Sequence, residues 1–174
     1  MVKLFQIVVL SVFLFINNTF AQKINQRLIN NNNGEEILIG VCTKQAFQQQ
    51  PFSDWFISEY NLYRNICDKA VTDSLKKYLP KCKIEVVLAT WCSDSRQHFP
   101  HFMCIKDICN LPDSSLTIIC VDREKLAPDV QLTDKKIDFV PTFIVYYKGK
   151  EIGRIIETPE ENLEKHLLKI VQKI

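Results

Sequence analysis

Glycine is scarce in this chain, with four residues among 174, at Gly34, Gly40, Gly149 and Gly153. They assemble no phosphate-cradling loop, and neither a P-loop nor a dinucleotide fingerprint is present. There is also no nucleophile elbow and no paired-carboxylate motif, which excludes the hydrolases built on those devices. No sign of charge dominates: 22 basic side chains stand against 20 acidic ones, for a formal net charge of +2. Without a basic stripe or an acidic tail, no nucleic-acid partner is expected. Histidine is limited to three residues. His98 and His101 fall three apart on one helical stretch, but no cysteine or carboxylate completes a metal-ligand pattern, so neither a metal nor another cofactor is expected.

Long apolar runs are limited to one, Leu4–Ile16, which follows the basic start Met1-Val2-Lys3. Thr19-Phe20-Ala21 then puts small residues where a signal peptidase reads. The run is short for a membrane span and lacks a basic stop-transfer flank. Residues 1–21 therefore read as a secretory signal cleaved near Ala21, with a retained anchor as the alternative. The mature chain is expected to be exported, to a periplasm or beyond the cell, and to have no membrane contact after cleavage.

Cysteine is plentiful: Cys42, Cys67, Cys82, Cys92, Cys104, Cys109 and Cys120. An exported chain permits disulfides, and an odd number leaves at least one thiol over in a monomer. One structural disulfide is expected among Cys42, Cys67 and Cys82, its connectivity open. Cys104, Cys109 and Cys120 read as small buried hydrophobes.

Along the chain, residues 22–36 are polar and interrupted by Asn30-Asn31-Asn32-Asn33-Gly34, which reads as a flexible linker. Residues 37–67 form an N-terminal, largely helical extension: a short apolar run at Ile37-Leu38-Ile39, which reads as an extra strand, then Phe52, Trp55, Phe56, Tyr60 and Tyr63 at helical spacing. A second helix over residues 68–79 buries Val71, Leu75 and Leu79. Residues 84–89 read as a buried strand, 93–110 as a helix interrupted by Pro100, and 116–121 as a second buried strand. After a polar stretch come strands over 142–147 and 151–156, joined too closely for anything but an antiparallel hairpin. Thr158-Pro159-Glu160-Glu161 reads as a helix start with a capping box, leading to an apolar face of Leu163, Leu167, Ile170 and Val171. The order gives a mixed sheet with helices on both faces.

Trp91-Cys92-Ser93-Asp94-Ser95 lies where the first of these buried strands ends and a helix begins. Unpaired amides and the partial positive charge of a helix N-terminus stabilise a thiolate there, and the Ser95 hydroxyl is placed to donate to it. Asp94 in the same turn opposes this. Ser95 stands three residues on, where a second cysteine would resolve a mixed disulfide. Arg96 is placed to pair with Asp94 or with a substrate.

From residue 68 to the C-terminus the chain resembles the thioredoxin-like superfamily. Trp91-Cys92 follows a buried strand, Pro100 lies eight residues beyond the cysteine, Val140-Pro141-Thr142 opens the third strand, and Lys148-Gly149 sits in the hairpin turn. The Trp-Cys-Ser-Asp-Ser form also resembles an exported bacterial thioredoxin-like group. The resemblance implies a three-layer α/β fold over 68–174, a cis Pro141 facing Cys92, and a groove of Trp91, Asp94, Val140 and Pro141 in which Val140 backbone pairs with an extended substrate. Three positions depart from the pattern. Ser95 replaces the resolving cysteine, Val86 stands where the family has a buried carboxylate, and Glu157 where it has a groove glycine. The expected activity is therefore monothiol exchange through Cys92 and Ser95, with a disulfide-bearing protein or small thiol as partner and an external thiol to resolve the adduct. The alternative is an inactive module that binds a polypeptide in the cis-proline groove.

Overall fold

The computed structural model describes residues 23–29 and 34–174. The expected signal over 1–21 lies outside the described residues. Among the described residues no helix is long and apolar enough to cross a membrane.

Six strands form one sheet: β1 Gln26–Ile29, β2 Glu36–Cys42, β3 Lys83–Leu88, β4 Leu116–Cys120, β5 Thr142–Tyr147 and β6 Lys150–Ile156, in the order β1-β2-β4-β3-β5-β6. Only β3 and β4 run parallel, since they are joined by the long helical crossover α4, Ser93–Ile108. β5 pairs antiparallel with β3 and returns through Lys148-Gly149 into β6. Both turn residues have positive φ (48° and 79°), the backbone that a two-residue hairpin loop requires.

The α-helices, expected on both faces, lie on one, because the β4–β5 segment takes the other: α1 Lys44–Phe47, α2 Ser53–Ile66, α3 Lys69–Leu75, α4 and α5 Leu163–Val171. They close the main core, in which Phe47, Phe56, Phe99, Phe102 and Phe143 are fully buried. α3 starts where the Asp68 carboxylate accepts from the Ala70 and Val71 amides. Pro100 is buried within α4 and withdraws the amide that would have bonded the Arg96 carbonyl, yet the helix continues to Ile108. The other face holds a second, smaller core of Val87, Ala89, Ile119, Val121 and Val140. Its cover is the β4–β5 segment, which packs Ala127, Val130, Leu132 and Ile137 against it and contains a single 3₁₀ turn at Thr133–Lys135.

Several expectations change. The stretch read as a linker contains β1, while the extra strand read at Ile37-Leu38-Ile39 is present as β2, longer than expected and a full member of the sheet. β1 escaped the pattern because three of its four residues are exposed. Backbone pairing with β2 and an Arg27–Glu36 ion pair at 2.8 Å hold it. The last helix starts later than the capping box at Thr158 implied. Asn162 caps it by accepting from the Lys165 amide, while Glu161 pairs with Lys165 and Lys169. Its apolar face is the expected one, with Leu163, Leu167, Ile170 and Val171 all buried.

Candidate functional site

Cys92 is the N-cap of α4, so its sulfur stands at the N-terminus of a 16-residue helix. β3 delivers it there: Val87 and Ala89 anchor the strand end in the second core, and Cys92, half-buried, packs at the rim of that core. The Cys92 amide donates to the Ala89 carbonyl at 3.0 Å, tightening the turn between strand and helix. The Val140–Pro141 peptide bond is cis. Across the site the Cys92 Sγ–H donates to the Val140 carbonyl at 3.2 Å. The segment that supplies this carbonyl is fixed from both sides. Thr142 Oγ1 donates to the Phe139 carbonyl at 2.7 Å, and the Glu157 amide donates to the Pro141 carbonyl at 2.7 Å. Glu157 has φ 53°, so it keeps the left-handed backbone that favours glycine while adding a carboxylate. The Val140 side chain is buried, and only its backbone faces the thiol.

Ser95 does not bond Cys92. It is fully buried, and its Oγ accepts from the Ala89 amide at 3.2 Å, the donor left over where β3 stops pairing. The expected thiolate donor is thus a brace for the strand end. Asp94 is half-buried in the first turn of α4. Trp91 donates its indole N–H to the Val121 carbonyl at 3.1 Å, and the Arg123 guanidinium lies over its ring at 4.8 Å. Arg96 pairs with neither Asp94 nor a site group. Its Nε donates to the Thr90 carbonyl at 2.5 Å and its Nη2 to Glu35 at 3.1 Å, while Arg123 reaches the other Glu35 oxygen at 3.3 Å. This bridge from the start of β2 to the loop after β4 joins residues far apart in sequence, and no local pattern announced it.

Val86 is fully buried in the main core, so no carboxylate takes the family's position. Its neighbour Glu85 lies on the opposite face of β3. One Glu85 oxygen meets Lys135 at 2.9 Å and the other is enclosed without a hydrogen-bond partner.

All seven cysteines are free thiols, so the disulfide expected among Cys42, Cys67 and Cys82 is not formed. Their sulfurs lie on separate elements and turn to different carbonyls: Gly40, Arg64 and Tyr78. Cys104, Cys109 and Cys120 are buried, and burial pushes the Cys104 and Cys109 thiols up to about 11. His101 is buried, stacks on Tyr63 and meets Glu59 at 3.0 Å, which ties α4 to α2. Among the described residues no three His, Cys, Asp or Glu side chains are grouped to hold a metal. A cavity of about 790 Å³ is lined by the β4–β5 segment and Ile39, and Cys92 is not among its walls.

No family model matches the chain, and no curated protein is found similar to it. Among solved structures, a protein of unknown function from Pseudomonas aeruginosa is similar at 14% identity, over 75% of this chain and 91% of that one, with a TM-score of 0.55. An HIV epitope-scaffold protein is similar at 13% identity, over 68% and 86%, with a TM-score of 0.50. Mitochondrial thioredoxin 3 from Saccharomyces cerevisiae, in its oxidised form, is 23% identical over 66% and 89%, but its TM-score of 0.38 is too low to argue from. A parallel strand–helix–strand unit with a cysteine at the helix start, followed by an antiparallel hairpin and a closing helix, gives the chain a mixed α/β fold of thioredoxin-like topology.

Proposed function

We propose that the chain is an exported monothiol exchange protein, acting through Cys92 on disulfide-bearing polypeptides or small thiols. The observation that carries this is the Cys92 sulfur, half-exposed at a helix N-terminus and 3.2 Å from the Val140 carbonyl beside cis Pro141. A neutral thiol donates to that carbonyl, whereas a thiolate has no proton to give. Deprotonation therefore does two things together. It makes the nucleophile, and it frees a backbone acceptor for an amide of an extended substrate.

The Cys92 thiolate then attacks one sulfur of the substrate disulfide. A Cys92–substrate disulfide forms, the substrate S–S bond breaks, and the other sulfur leaves as thiolate. With a buried serine at position 95 there is no second sulfur in the motif. An external thiol attacks the adduct, takes its place in a new disulfide with the substrate sulfur, and returns Cys92 as thiolate. Deglutathionylation suits this cycle and is limited by supply of the external thiol, whereas in isomerisation a second thiol of the substrate attacks the adduct, forms the new substrate disulfide and returns Cys92 as thiolate.

The test is to incubate the protein with a glutathionylated peptide and look for a Cys92-linked adduct that free glutathione releases. Turnover should be lost in Cys92→Ala, and an equal rate in that variant would remove the reading. The second reading, a module that binds a polypeptide without chemistry, is favoured by one observation. Phe139 and Ile156, 52% and 46% exposed, flank the Pro141 segment with apolar surface. Peptide binding that survives Cys92→Ser with no adduct in the wild type would select it.

A further inference from the structure

Six cysteines take no part in that chemistry, and two of them are neighbours across the sheet. β2 and β4 run antiparallel, with Gly40 opposite Cys120 and Cys42 opposite Ile118. Cys42 and Cys120 are therefore diagonal neighbours on one face, and both belong to the main core. Burial pushes the Cys120 thiol up, and the neighbouring Cys42 thiol adds to the effect. Cys42 is less enclosed. It lines a crevice of about 300 Å³ with Thr43, Met103, Asp113, Leu116 and Ile118. This crevice lies at the start of β4, the opposite end of the sheet from Cys92, and on the opposite face.

We propose that Cys42 and Cys120 form a second redox centre, a dithiol that a small disulfide of the glutathione-disulfide class converts to a Cys42–Cys120 disulfide. The Cys42 thiolate, reached through the crevice, attacks one sulfur of the small disulfide. Cys42 becomes mixed-disulfide bonded and one small thiolate leaves. Cys120 then gives its proton to the small thiolate already released and attacks the Cys42 sulfur, which forms the protein disulfide and expels the second small thiolate. Two protein thiols are oxidised and one small disulfide is reduced to two thiols.

Ideal diagonal partners stand about 7–8 Å apart between Cα atoms, and a disulfide prefers about 4.4–6.8 Å, so closure draws the strands together by about an ångström. The pairing between β2 and β4 can give this much. It spans only Gly40, Val41 and Cys42, and Gly40 interrupts β2 with φ 79°. The bond would fasten β2, and β1 through it, to the interior of the sheet.

The test uses the intact protein carrying Cys92→Ser, so that only the other thiols respond. It is treated with oxidised glutathione under native conditions, denatured, alkylated, digested and mapped by mass spectrometry. The expected result is a loss of two hydrogens from the protein and a linked peptide pair containing Cys42 and Cys120, reversed by dithiothreitol. A stable glutathione adduct on Cys42 without the linked pair would overturn the proposal. So would a link among Cys67, Cys104 and Cys109, or no oxidation at all. Because β2 and β4 are unaltered in this protein, misfolding cannot imitate any of these outcomes.

Discussion

Ser95 occupies the place of a resolving cysteine, but its work is structural. Its hydroxyl is the acceptor for the Ala89 amide at the last turn of the chain before the thiol. Ser95→Ala leaves that buried donor unpaired, at a cost of about 1–3 kcal/mol in urea unfolding. The rate at which Cys92 attacks a model disulfide should change by less than about threefold, because no Ser95–sulfur bond is removed. A loss of rate without loss of stability would restore Ser95 as a thiolate donor. At this scale the sequence was informative about identity and silent about direction. Cys92 at a strand end followed from β-branched residues running into Trp91. Whether Ser95 turns outward to sulfur or inward to an amide depends on how β3 ends, and one-dimensional spacing does not carry that.

Elements built on a burial period were legible, and those built on backbone pairing or on competing caps were not. β5 appears over residues 142–147 as read, because its apolar residues are buried on both faces. β1 is short and exposed, so nothing in its side chains distinguishes it from a linker. The start of α5 was misplaced because the Thr158 capping box is not used, and Asn162, four residues on, caps the helix instead. The packing of that helix is close at Gly153 on β6, where an added Cβ would stand 3.0 Å from two carbons of Ile170 on α5. Gly153→Ala should push α5 from β6 and cost about 1–3 kcal/mol by overpacking. The measurement is the thermal midpoint, with the double substitution Gly153→Ala, Ile170→Ala, which removes both γ carbons, expected to cost less than the sum of the two single changes.

Across the whole molecule, stability should fall on acidification, and the cause lies in the helical layer. Burial holds the His98 and His101 imidazoles below their ordinary value of 6.5. The charge of His101 adds to this at His98, and Glu59 opposes it at His101 without reversing it. A depressed folded value means that the unfolded chain binds more protons below 6.5. The contribution is therefore complete above that pH and is lost as pH falls through the folded values. Urea unfolding near neutral pH and at about pH 5 should show the decline, with a shallower slope in His101→Gln. An unchanged slope would place the acid sensitivity elsewhere.

The two cores are unequal, and the Cys92 sulfur belongs to the smaller one, beneath a segment with little helix. Trp91 lies at that border, its indole held between the Val121 carbonyl and the Arg123 guanidinium and adjoining Cys92 in the chain. The chain has one other tryptophan, Trp55 on α2. The protein thus contains its own optical probe. With Trp55→Phe a single emitter would remain next to Cys92, and the mixed disulfide of the proposed exchange could be followed there in real time by fluorescence alone.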